Sequence, residues 1–176
     1  MRIYEGSPRQ GWEEVLRSVG AFADSERLKE LLFLELEGGF LLQGLGLHEG
    51  GADSDSFGSA AKRTYELTDD QVAELMDANT AKRGSSDADV PLPDLGNYYE
   101  LAMRIMGAYI DQQRAHDVFL FEQEGSFVLR LFGVAGSRGA GHQLSEFTKD
   151  EILAMIQAAP EQRQQPAPSP SGATQQ

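Results

Sequence analysis

The chain has 176 residues, carries a formal net charge of −13 and contains no cysteine. Because such an acidic protein repels phosphate groups, binding to nucleic acid or to an anionic membrane surface is disfavoured, and a protein partner attracted over a distance is expected to be basic. Disulfides, thiol nucleophiles and cysteine metal ligands are excluded, which fits a cytoplasmic protein. Met1 is followed by Arg2, Tyr4 and Glu5 rather than by an apolar run, so no signal peptide is predicted.

Residues 12–46 recur as residues 99–133 after a shift that places Gly20 on Gly107 (107 − 20 = 87). Twelve of the 35 aligned pairs are identical, whereas average residue usage gives about two. The pattern predicts a tandem duplication in which two similar halves share one core. The identical pairs are Glu13/Glu100, Arg17/Arg104, Gly20/Gly107, Ala21/Ala108, Asp24/Asp111, Arg27/Arg114, Glu35/Glu122, Glu37/Glu124, Gly38/Gly125, Phe40/Phe127, Leu42/Leu129 and Gly46/Gly133.

The first element of each copy is a predicted helix. Ser7 is the predicted N-cap, with Pro8 at the first helical position and Gln10 closing a capping box, and Asn97 and Glu100 take the same roles in the second copy. Apolar residues then recur at helical spacing, so both helices are amphipathic and need an apolar surface to lie on. The two stripes are Trp12, Val15, Leu16, Val19, Phe22 and Ala23, and Tyr99, Ala102, Met103, Met106, Tyr109 and Ile110.

Each helix is followed by a predicted β-hairpin. Strands over 31–37 and 40–45 are joined by Gly38-Gly39, and strands over 118–124 and 127–132 are joined by Gly125-Ser126. A two-residue glycine-containing loop between strand-like runs is typical of a primed turn. This turn would place Leu36 opposite Leu41 and Leu34 opposite Gln43.

A third strand and a second helix complete each copy. The predicted third strands are 62–67 and 142–147, and Thr68 with Gln71 and Thr148 with Glu151 form capping boxes that open the helices. The fold class is therefore α+β: a tandem duplication of an α-β-β-β-α unit that forms an antiparallel sheet flanked by helices. The predicted boundaries are 1–83 for the first repeat, 84–96 for a linker, 97–159 for the second repeat and 160–176 for a disordered tail.

Both faces of the predicted hairpins are apolar. One face contains Leu32, Leu34, Phe119 and Phe121, with Arg130 among them, and the other contains residues such as Phe33, Phe40, Leu120 and Phe127. The helices of the chain can cover only one face of such a sheet, so the other needs a second cover. The sister repeat, a second subunit and a client protein are the three alternatives. Arg130 is expected either to be paired at an interface or to extend to water from an edge strand.

Two loops contain candidate ligands. In the loop 48–58, Asp53, Asp55 and Gly58 match positions 1, 3 and 6 of a calcium-binding EF-hand loop, but Phe57 and Thr64 occupy positions where ligands are required. His48, Asp53, Asp55 and His142 are weak candidates for a metal site, on the condition that the loops 48–58 and 136–142 converge. The glycine-rich loop with Arg138 resembles a phosphate-binding loop, but it joins two strands instead of opening a helix. Solvated surface loops are the alternative.

No catalytic residue is predicted. Glu35, Glu37, Glu122 and Glu124 recur as pairs that could perform acid–base chemistry, but the solvated end of a sheet face explains the same spacing. The sequence contains no nucleophile elbow, phosphate-binding P-loop, dinucleotide fingerprint or zinc-protease motif. No cofactor is predicted either.

In its order of elements and its charge, the chain resembles the type III secretion chaperone-like proteins, including the YbjN-type group. The resemblance implies a twisted antiparallel sheet with flanking helices that pairs across a twofold axis and binds an extended client segment. The predicted function is therefore a non-enzymatic protein-binding module, chaperone or adaptor-like, with Leu32, Leu34, Phe119, Phe121 and Arg130 as partner contacts. The alternative is a small-ligand or metal-binding protein, which could be an enzyme, with its site in the loops between the repeats. A homodimer is also expected.

Overall fold

A computed structural model describes residues 11–47, 60–84, 98–132 and 142–163 of the chain. The order of elements is α-β-β-β-α, twice in succession. This order agrees with the tandem duplication, which stays a prediction from the sequence. The first half contains α1 (Trp12–Ser25), β1 (Leu28–Leu36), β2 (Gly39–Leu47), β3 (Ala60–Thr68) and α2 (Asp69–Gly84), and the second contains α3 (Tyr98–Gln113), β4 (His116–Gln123), β5 (Ser126–Phe132), β6 (His142–Thr148) and α4 (Lys149–Arg163).

All six strands form one antiparallel sheet in the order β3-β2-β1-β4-β5-β6. The two halves join where β1 pairs with β4, with Phe33 opposite Leu120 at the centre of the pairing. Since the first strand of each half lies at the middle of the sheet, the third strands become its two edges. The α+β class predicted from the sequence is confirmed.

The hairpin turns differ from the prediction by one residue. The turn residues are Glu37-Gly38, which leaves Gly39 as the first residue of β2, opposite Leu36. Gly38 has φ +81°, a left-handed conformation that glycine adopts without strain. A Cβ at Gly39 would lie only 2.3 Å from the carbonyl oxygen of Leu67, so this glycine is needed for close approach to β3.

The predicted register is wrong as a result. Leu34 lies opposite Leu41 and not opposite Gln43. The second hairpin is displaced in the same way, with a turn at Glu124-Gly125 and Gln123 opposite Ser126. Because the opposing residue changes by two positions and side chains alternate with a period of two, every residue stays on its predicted face.

The helices cover one face of the sheet. Trp12 of α1 makes edge-to-face contacts with Phe33 and Phe40, at 6.4 and 6.0 Å between ring centroids. Val72 on α2 and Ile152 on α4 are fully buried in the same core. The core is therefore one continuous layer between the helices and the sheet, shared by both halves.

The helix starts after the third strands are as predicted. The amide of Gln71 donates to Thr68 Oγ1 while the Gln71 side chain accepts from the Thr68 amide, and Thr148 and Glu151 form the equivalent pair. The start predicted at Ser7 for the first helix is wrong, because α1 begins at Trp12 and the residue before it, Gly11, has an extended backbone with φ −78° and ψ 171°. Asn97, the predicted cap of the second copy, lies outside the described residues. α4 continues to Arg163, beyond the point where a disordered tail was predicted to begin, and residues 85–97 and 164–176 are outside the described ranges.

Candidate functional site

The side of the sheet opposite the helices is the candidate site, and we call it the open face. Alternate residues of all six strands point to this side, and no helix or strand of the described ranges lies on it. Two rows of opposed residues cross its centre. They are Glu66-Leu41-Leu34-Phe119-Arg130-Leu144 and Thr64-Gln43-Leu32-Phe121-Val128-Glu146, each read from β3 to β6.

The open face is apolar over five of its six strands. Leu36 is 45% exposed and Leu144 is 65% exposed. The predicted contacts Leu32, Leu34, Phe119 and Phe121 are half-buried, because neighbouring side chains on the same face shield them. The rings of Phe119 and Phe121 lie 5.5 Å apart. The structure thus brings the four predicted apolar contacts together in the middle of the sheet.

Arg130 lies on the same face, on the interior strand β5. Its side chain is exposed, and the guanidinium carbon lies 4.8 Å from the centroid of the Phe132 ring. This is a cation–π contact, which holds a charged group above an apolar surface while leaving its N–H donors available. The edge-strand alternative for Arg130 is wrong, because β3 and β6 are the edges.

The open face also has charges of both signs, located mostly at its margins. Lys29, Lys62 and Arg130 are the cationic residues, and Glu66 and Glu146 are the acidic ones, all of them exposed. The strong acidity of the chain is therefore absent from this surface. Glu146 is held in place at β6, since its Oε1 accepts from the Ser126 hydroxyl at 2.7 Å.

Glu35 and Glu122 do not form a solvated sheet end, and that part of the prediction is wrong. Glu35 Oε2 accepts from the Val118 amide at 3.0 Å, and Glu122 Oε2 accepts from the Leu31 amide at 3.2 Å. Both carboxylates lie on the helix side of the sheet, across the β1–β4 pairing. Each one satisfies an amide beside a β-bulge, where Glu30 and Asp117 have the left-handed φ angles of 54° and 62°.

Glu122 is buried more deeply, with a side chain that is only 6% exposed. It also accepts from the Tyr99 hydroxyl at 2.7 Å and from Lys149 Nζ at 2.9 Å. Burial, followed by the Glu122 hydrogen bond, raises the pKa of Tyr99 far above its usual range, and burial raises the pKa of Tyr98 to about 12. Of its three donors, the Leu31 amide belongs to the first half of the chain and the other two to the second, so Glu122 makes one contact between the halves.

The helix layer is held together by a reciprocal contact between α1 and α3. Asp24 near the end of α1 accepts from the Tyr99 and Glu100 amides at 3.1 and 2.8 Å, and Asp111 accepts from the Trp12 and Glu13 amides at 2.9 and 3.0 Å. Each aspartate therefore caps the positive end of the other helix. Two ion pairs, Arg17–Glu100 at 2.9 Å and Arg104–Glu13 at 2.8 Å, complete the contact.

The loops proposed for metal or phosphate binding, with His48, Asp53, Asp55 and Arg138, lie outside the described residues. His142 is described: it begins the edge strand β6 and is exposed. The chain leaves β2 for the first loop and β5 for the second, and because these two strands run in opposite directions, they end at opposite ends of the sheet. Among the described residues no group of three or more His, Asp or Glu side chains is arranged to hold a metal ion.

Sequence reasoning missed part of the open face. Leu144 is the most exposed large apolar residue of the open face. It lies on the short strand β6, where the interpretation of the sequence used mainly the capping residue Thr148. The alternation His142, Leu144, Glu146 on one side and Gln143, Ser145, Phe147 on the other could have placed it.

Comparisons of the chain with protein-family models, with curated proteins and with solved structures found no match. Within the described ranges no helix is both long and apolar enough to cross a membrane.

Proposed function

We propose that this chain is a non-enzymatic protein-binding module, chaperone- or adaptor-like, which holds a protein partner on its open face. The observation that supports this function is the apolar face itself, with Leu36 and Leu144 substantially exposed. The apolar part spans five strands about 4.8 Å apart and about six residues of 3.4 Å each, or roughly 500 Å². This area is the outline of that part of the sheet, and it includes the polar residues Gln43 and Arg130. Contiguous apolar patches on a protein surface are often functional.

The composition of the face supports a protein partner over a small molecule. Arg130 lies opposite Phe119 and over the ring of Phe132, and aromatic residues and arginine are enriched at protein interfaces. The face also extends across a sheet of six strands, whereas small-molecule sites are enclosed clefts. The resemblance to type III secretion chaperone-like proteins leads to the same class of function.

An aggregation assay tests the proposal directly. Reduction of insulin with dithiothreitol releases an aggregating B chain whose light scattering can be followed, and the absence of cysteine in this protein leaves it unaffected by the reductant. The wild-type chain is expected to lower the scattering in proportion to its concentration. The double variant Leu36→Ser/Leu144→Ser is expected to lose much of this effect while keeping its fold, because both residues are exposed.

Met155→Ser is the matched control. Met155 is 39% exposed but lies on α4, in the helix layer. Holding activity that survives the open-face substitutions, or that is lost equally in the control, would refute the assignment of the open face as the binding surface.

A further inference from the structure

We infer that the partner on the open face is a second copy of this chain, packed sheet against sheet about a twofold axis parallel to the strands. The inference rests on the proposed function, because it names the protein that the same face binds. Its first support is shape. A helix is about 10 Å wide and a single strand about 4.8 Å wide, whereas the apolar region extends over five strands. A second sheet covers all of it at the usual separation of about 10 Å.

The size of the face also fits. All six strands present about 29 Å by 20 Å, so two copies bury roughly 1,200 Å² in total, at the lower limit of specific protein interfaces. An interface of this size is expected to be reversible. Self-association would therefore keep the apolar residues out of water while allowing the face to be released.

Two surfaces through which copies of such a unit could join are already used inside the chain. β1 pairs with β4, and α1 crosses α3 through the reciprocal contacts of Asp24 and Asp111. The two halves thus satisfy each other at the sheet centre and in the helix layer. The open face remains as the large apolar surface of the described residues.

The charges on the face are suited to a second copy. Two chains of net charge −13 repel each other, but the open face itself has charges of both signs. With the twofold axis between β1 and β4, β5 lies over β2 of the second copy. Arg130 and Glu66 belong to the same row, on β5 and β3. Arg130 is therefore one strand away from Glu66 of the second copy, within reach of its long side chain, and the contact occurs twice.

A charge-exchange experiment tests this arrangement. Arg130→Glu places two acidic residues at each contact and Glu66→Arg places two basic ones, so each variant alone is expected to dissociate at least about tenfold more readily than the wild type. An equimolar mixture of the two variants restores an opposite-charge pair at both contacts. Sedimentation velocity on the full chain is expected to show a wild-type dimer, weakened single variants and a restored heterodimer in the mixture.

Salt dependence gives an independent outcome. Raising NaCl from about 0.05 M to about 0.5 M screens the repulsion between the two acidic chains and is expected to tighten the dimer, whereas binding of a basic client would weaken. A wild-type chain that stays monomeric at about 100 μM would overturn the inference, because even a weak dimer with a dissociation constant of about 10 μM would be mostly formed at that concentration. A dimer unaffected by either substitution, or a mixture that restores nothing, would also overturn it.

The two proposals fail separately. If the chain is monomeric but still holds the insulin B chain through the open face, the second copy is refuted and the binding function stands. If neither self-association nor holding depends on Leu36 and Leu144, both are refuted.

Discussion

Gly20→Ala is expected to destabilise the protein, against the usual effect of this substitution in a helix. Alanine at an interior helical position generally gains about 0.5–1 kcal/mol over glycine. In α1, however, a Cβ at position 20 would lie 2.3 Å from the carbonyl oxygen of Tyr99 and 2.9 Å from the Cα of Glu100. Contacts of these atoms normally exceed about 3.2 Å, so α1 and α3 must separate by roughly 1 Å.

The magnitude follows from two costs. Forcing a methyl group into a packed interface costs about 1–3 kcal/mol. A separation of 1 Å also stretches the bonds from Asp24 to the Tyr99 and Glu100 amides, now 3.1 and 2.8 Å, past hydrogen-bonding distance. After the gain in helix propensity, we expect a net loss of about 1–3 kcal/mol in the free energy of unfolding.

Urea unfolding followed by far-UV circular dichroism measures this loss. The midpoint urea concentration is expected to fall, while the dependence of the free energy of unfolding on urea concentration stays unchanged. Ala78→Gly, at an exposed position of α2, is the control for helix propensity and should cost about 1 kcal/mol. Gly107→Ala, whose Cβ would lie 2.3 Å from the Trp12 carbonyl oxygen, should match Gly20→Ala, and the double variant should cost less than the sum because one separation relieves both contacts. A stabilised Gly20→Ala chain would refute the reasoning.

Three further substitutions test other parts of the structure. Asp111→Ala removes the acceptor for the two amides at the start of α1 and should cost about 1 kcal/mol in urea unfolding; an equal loss from the exposed Gln112→Ala would contradict this. The buried hydroxyl of Tyr98 has no hydrogen-bond partner among the described residues, and burial raises the pKa of this residue from an ordinary 10.0 to about 12. Its contribution to the free energy of unfolding is therefore complete below pH 10 and lost as the pH rises toward 12. Tyr98→Phe should shift alkaline unfolding to higher pH without loss of stability at neutral pH. Thr148→Ala breaks the α4 capping box and should lower the melting temperature by about 2–4 °C. Because hydrogen bonds to Thr148 lower the pKa of Glu151 from its ordinary value of 4.5, the difference in melting temperature between wild type and variant should shrink as the pH falls below 4.5. A difference that does not change with pH would contradict the role of the Glu151 carboxylate.

The faces of the sheet could be predicted from the sequence because alternation survives an error in register. The sequence placed Leu34 and Phe121 on one side and Phe33 and Leu120 on the other without knowledge of the pairing. The turn itself was misplaced, because Gly38 and Gly39 are equivalent in a sequence pattern. Only the backbone shows that the first has a positive φ while the second lies against Leu67.

The contacts between the halves could not be predicted, because they join residues distant in sequence. Asp24 and Asp111 recur in the repeat, but their partners are amides 75 to 99 positions away. The bulges at Glu30 and Asp117 gave no signal either, since residues other than glycine seldom adopt a left-handed φ. Many identical pairs of the repeat, among them Glu35/Glu122, thus have a role in joining the halves that composition and spacing do not reveal.

The reciprocal contacts also explain why the described helices all lie on one face of the sheet. Asp24 and Asp111 fix α1 and α3 to each other, and the buried Val72 and Ile152 fix α2 and α4 beside them, so the four helices of the described residues lie on the same side. An isolated two-layer protein of this kind would be more soluble with polar residues on its outer strands. Leucine and phenylalanine occupy these positions instead, and because the described helices lie on the other side of the sheet, the proposed protein-binding function is expected to depend on these residues more than the stability of the fold does.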